Sequence, residues 1–155
     1  MELRAQVVLD DCRLAIEKLE AERGPALFRI WHVAAIALVR TVGNVLHEVD
    51  SPADEEIDRE VKRLWPDWKS GIGEHRIFKD FIDPERSAIL KRYEFKFEAD
   101  PSPIHFTDGK ELFTLENEDL FYVPANDGPY AGEDVRELLR QACDWLSRQL
   151  ALINV

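Results

Sequence analysis

The chain is poor in cysteine. It has two in 155 residues, Cys12 and Cys143, and neither sits in a CxxC or mixed Cys/His pattern. That removes the usual zinc ligand sets. Both lie on apolar positions of expected helices, so they read as buried free thiols of a reducing compartment. The chain is also poor in positive charge, with 20 Lys and Arg against 31 Asp and Glu for a net charge of −11. This argues against broad attraction to nucleic acid or an anionic membrane, and leaves room only for a small basic pocket. No stretch of eighteen uncharged apolar residues exists, which excludes a membrane span. The first ten residues lack the basic start and apolar core of a signal peptide. A cytoplasmic location is the expectation. No internal repeat, low-complexity tract, metal motif or cofactor motif is visible.

What is present is a single helical domain spanning 1–155, with composition ordinary for a folded protein. Its centre is Ala26 to His47, twenty-two residues without proline and apolar at almost every angular position. That is too long for a strand and suits a helix buried in a bundle. Residues 2–22 form an amphipathic helix before it, with Val8, Cys12, Ala15, Ile16 and Leu19 at helical spacing. Gly24 and Pro25 separate the two. Ser51, Pro52 and Asp54 give a cap, a first-position proline and an acid for a third helix. Ile57, Val61, Leu64, Trp65 and Trp68 mark its face, and Pro66 bends or ends it. A short helix, Glu74 to Ile82, is followed by a cap at Asp83, a first-position Pro84 and a helix to about Glu94.

Residues 95–130 change character. The runs at 112–115 and 120–123 have strand propensity, so a small hairpin or irregular insertion is expected before the last helix, which starts at Gly132 to Asp134. The fold class is therefore an all-α bundle of about five helices with that insertion.

The polar residues of the central helix are placed. At about 100° per residue, Asn44 lies about 40° from Arg40, and His47 about 20° from it. Arg29 falls near the same line. Buried polar groups are costly unless paired, so this stripe must face partners, water or a ligand. The chemistry available is phosphodiester chemistry. Histidine titrates near neutrality and can take or give a proton. Arginine keeps its charge and can hold two phosphate oxygens. Asn44 orients either. His75, Arg76, Lys79, Arg86, Lys91 and Arg92 make 75–92 the basic part of an acidic protein, with Arg86 and His75 as second-line anion contacts.

An arginine followed after six residues by a histidine, on a helix of a small bundle, resembles the motif of HEPN-domain proteins. The resemblance covers the Ala26–His47 helix and the general architecture. Thr41 stands where family members often carry an asparagine, and Asn44 comes one turn later. The resemblance implies an all-α bundle, often a homodimer, and metal-independent RNA cleavage or RNA binding of the toxin–antitoxin or phage-defence kind. Arg40 would be the phosphate anchor, His47 the general acid and base, and Asn44 the orienting group.

Two other readings remain open. One is a non-catalytic interaction module, antitoxin-like or adaptor-like, that binds a cognate protein through Trp65, Trp68, Phe121 and Tyr122. The other is a small-molecule hydrolase that holds Mg²⁺ with the acidic run Asp54, Glu55, Glu56, Asp58 and Glu60, although acids at a helix start are already favoured by its dipole.

Overall fold

A computed structural model describes residues 2–98, 104–107, 112–115 and 122–153. Its helices are α1 (Arg4–Ala21), α2 (Pro25–Val45), the single turn α3 (Ser51–Ala53), α4 (Glu55–Ser70), α5 (Asp83–Arg92) and α6 (Val135–Ile153). A two-stranded antiparallel hairpin, β1 (Ile104–Thr107) and β2 (Leu112–Leu115), precedes α6. The protein is an all-α bundle of five full-length helices with a short hairpin before the last.

α2 is central, packed against α1, α5 and α6. It is longer than the sequence suggests. A π-helical turn, Leu46–Asp50, and α3 carry the helical path on to Ala53. Contrary to the expectation from its charged interruptions, this rod is by length and composition long and apolar enough to cross a bilayer, with a window of mean hydropathy 1.4, and 39% of that window is buried in the protein. Ser51 is thus inside the helix and does not cap the next one. It donates to the Asp58 carboxylate instead, at 2.6 Å. Asp54 is the true cap of α4, accepting from the backbone N–H groups of Glu56 and Ile57. Pro66 does not end α4, which runs to Ser70 and stops where Gly71 takes a left-handed conformation, φ 63°.

The same correction applies at Asp83. A second π-helical turn, Phe78–Ile82, runs straight into α5, so Asp83 caps nothing and its carboxylate is free to pair elsewhere.

α1 has no cap of its own. The buried carboxylate of Asp50, at the far end of the α2 rod, accepts from the Arg4 and Ala5 N–H groups at 2.9 Å each. This long-range cap satisfies two orphan donors and fixes α1 antiparallel to α2.

The core joins Leu9, Leu19, Phe28, Ile36, Trp68 and Leu138. Trp68 donates to Gln149 Oε1 at 2.8 Å, which gives two buried polar side chains on α4 and α6 a shared partner. The hairpin contains the expected 112–115 strand, but its mate is 104–107. The backbone at Val123 is committed instead to Asp134 and Val135.

Candidate functional site

The polar row of α2 is built as follows. Arg40 Nη1 donates to Asn44 Oδ1 at 2.9 Å, as expected for polar residues four apart on a helix. Arg40 Nε lies 3.1 Å from Asp83 Oδ1, too poorly aligned for a hydrogen bond there, and the guanidinium sits over the Phe78 ring at 5.5 Å. A carboxylate, an amide and a ring therefore surround a half-buried charge.

His47 makes no direct contact with Arg40 or Asn44 among the described residues. It lies in the π-helical turn, where a turn holds more residues than in an α-helix and angular register slips. Its ring stacks on Trp65, with centroids 6.2 Å apart and planes 9° apart, and its side chain is 59% exposed. Its nearest acid is Glu48, at 3.9 Å. Lys69 Nζ lies 5.8 Å from the same Trp65 ring. The structure thus joins Arg40 and Asn44 directly and places His47 on an aromatic shelf beside them. The crevice beneath, lined by Gly43, Leu46, Trp65 and Trp68 among others, leaves no room for a water. Any ligand of this row is held on the surface. Arg29 has no ion pair among the described residues.

The row lies on the longest acid-free run of the sequence. From Arg23 to His47 there is no Asp or Glu, although the whole chain has 31. Beside it, the outward face of α2 is uncharged and apolar. Leu27 is 50% and Ile30 54% exposed, and Ala34, Ala37, Thr41 and Val45 are half-buried.

The second-line contacts fall elsewhere. His75 Nδ1 accepts from Trp145 Nε1 at 3.3 Å, which assigns the proton of a neutral ring to Nε2. A chain of rings, Trp65, Trp68 and Trp145 at 5.9 and 5.0 Å, separates His75 from His47. His75 adjoins a cavity of about 290 Å³ between residues 73–77 and α6, whose mixed wall includes Glu74, Arg76, Tyr130, Asp144 and Arg148. Burial raises the Tyr130 hydroxyl above its ordinary pKa, reinforced by Asp80 and Glu133 and opposed by Arg76. Arg86 is half-buried and joins neither His75 nor the α2 row in any contact among the described residues.

Of the acidic run at the start of α4, three side chains have structural partners. Asp54 caps, Asp58 binds Ser51 and Lys62, and Glu60 pairs with Arg63. Among the described residues no three His, Cys, Asp or Glu side chains converge as a metal site would require. Of the aromatic contact candidates, Trp68 belongs to the core, Trp65 is half-buried, and Tyr122 is exposed and donates to the Gly132 carbonyl. Phe121 lies outside the described residues.

One polar pair was not legible in the sequence. His32 Nε2 lies 3.2 Å from Glu85 Oε1, with both residues buried. His32 Nδ1 has no partner, and the rings of Phe97 and Phe95 close over it at 4.6 and 6.2 Å. Its only sequence trace is a histidine on an inward helix position.

No family model, curated protein or solved structure matches the chain.

Proposed function

We propose that the protein acts on RNA through the Arg40–Asn44–His47 row, without a metal, in the manner its HEPN-like motif implies. The observation that carries this reading is the row's setting. An arginine tied to an asparagine stands about two turns from an exposed histidine, on the one long acid-free segment of a strongly acidic chain.

The chemistry runs on the chain's own groups. A backbone phosphate displaces the Asp83 carboxylate from Arg40, which offers a bidentate hold. Asn44 keeps the guanidinium aimed. The neutral His47 imidazole takes the proton of the ribose 2′-hydroxyl, whose oxygen attacks phosphorus. The departing 5′-oxygen takes a proton from a protonated imidazole, supplied by the same residue of a second copy. The products are a 2′,3′-cyclic phosphate and a 5′-hydroxyl end.

The test is incubation of purified protein with total RNA in a chelator, beside His47→Ala and Arg40→Ala. Cleavage by the wild type that both variants lose supports the reading. RNA left intact by the wild type at micromolar protein sinks it.

A second reading, an interaction module, is favoured by the exposed apolar face of α2. Uncharged helical faces of this length are usually covered. Light scattering on the eluted protein tests it. A mass of twice the 17.9 kDa of one chain, halved by Ile30→Asp, supports self-association. A monomer that also copurifies with no stoichiometric protein removes it.

A further inference from the structure

The two cysteines of this chain meet in the seam between its first and last helices. Cys12, in the middle of α1, and Cys143, in the middle of α6, bring their Sγ atoms to 3.5 Å although 131 positions separate them. Cys12 Sγ also lies 3.5 Å from the Ala35 carbonyl of α2, which can accept its thiol hydrogen. Three helices therefore meet at one thiol pair. We propose that Cys12 and Cys143 are a disulfide-forming site, closed by a small disulfide oxidant of the glutathione type, which clasps α1 to α6 covalently.

Geometry comes first. A disulfide bond is about 2.05 Å long, so each sulfur has to move only about 0.7 Å. No third cysteine exists, so no wrong pairing competes. No His, Asp or Glu completes a metal set with the two sulfurs among the described residues, so metal binding does not account for the pairing.

Reactivity comes second. The hydrogen bond with Cys143, then burial, push the Cys12 thiol well above its ordinary pKa. The thiolate is the nucleophile, so the folded pair reacts slowly and survives ordinary handling. Both sulfurs are buried, so the exchange runs through transient opening of the α1–α6 seam, and Cys143 is taken as the first to react. Its thiol gives a proton to solvent, and the thiolate attacks one sulfur of oxidised glutathione. A mixed disulfide forms and one glutathione leaves as its thiolate, which takes up a proton. Cys12 then loses its proton and attacks the Cys143 sulfur, and the second glutathione leaves. The protein has lost two hydrogens, and one oxidised glutathione has become two reduced ones.

The clasp closes a loop of most of the chain, the case in which a cross-link restricts the unfolded state most. It also removes the thiol hydrogen from the Ala35 carbonyl, directly beneath the outward face of α2.

The experiment uses the full-length native protein incubated with oxidised glutathione below its melting temperature, then quenched with an alkylating agent in denaturant. The expected product is two hydrogens lighter, takes up no alkylating agent and carries no glutathione. Its melting temperature is about 10 °C higher, and a reductant restores the starting value. Cys12→Ser, treated alike, is expected to keep one glutathione on Cys143 and gain no stability. The proposal is overturned if both cysteines of the wild type remain fully alkylatable after days of exposure. It is equally overturned if mixed disulfides accumulate on the wild type and never resolve.

Discussion

His32 on α2 and Glu85 on α5 form a buried pair, with Nε2 and Oε1 3.2 Å apart and both side chains almost wholly out of water. This pair, with Arg40 and Asp83 a few residues away, sets how α5 lies along α2. Buried pairs of this kind are costly to break from one side, because the remaining group is left without its partner. Glu85→Ala is expected to lower unfolding stability by about 3 kcal/mol. Glu85→Gln keeps an acceptor for the imidazole and is expected to cost about 1 kcal/mol. Urea titrations of the three proteins measure both. Equal and small losses would show that the pair contributes nothing beyond packing.

Asp83 holds the Arg40 guanidinium that the proposed RNA contact needs. Asp83→Asn removes the competing charge from a half-exposed position. RNA affinity should rise about threefold, the scale of one solvent-exposed ion pair. Fluorescence anisotropy with a short single-stranded RNA reads this, and an unchanged or weakened affinity would place RNA somewhere other than Arg40.

Acid sensitivity should centre partly on Asp134. Burial pushes its carboxyl up, but hydrogen bonds from the Arg136 side chain and from the backbone N–H groups of Arg136 and Val123 outweigh that and hold it below its ordinary value of 3.8. The folded state therefore binds this proton more weakly than the unfolded chain does. The stabilisation is fully present above the ordinary value and is lost as pH falls through the lower folded value. Asp134→Asn should melt earlier at neutral pH and fall less steeply below about pH 4. Melting curves from pH 7 to pH 3 decide it. Parallel curves for the two proteins would remove Asp134 from the acid response.

Gly43 lies inside α2, where glycine costs helix stability. A Cβ added there would meet Arg40 Nη1 at 3.4 Å and the Trp68 ring at 3.7 Å, both ordinary contacts. Gly43→Ala should stabilise the fold by about 0.5–1 kcal/mol. A loss on thermal melting would mean that Arg40 needs the space a methyl group takes.

The helices were legible in local pattern alone. Apolar residues recur at helical spacing in α1, α4 and α6, and the length and composition of Ala26–His47 leave no alternative to a central helix. Local pattern also determined the Arg40–Asn44 contact, because residues four apart on a helix are neighbours wherever that helix lies. Helix ends were less legible. Ser51 and Asp83 have the residue types of caps, but π-helical turns carry the chain through both positions, and packing overrode the local signal.

Which side chains meet across the chain was settled by the packing of the helices. Asp50 caps a helix 45 residues away, His32 finds Glu85, and Cys12 touches Cys143. That packing also decided that His47 leans on Trp65. Local spacing fixes angles around one helix axis. The relative placement of two axes is set by the burial of all their faces at once, a sum to which no single stretch of sequence contributes more than a part.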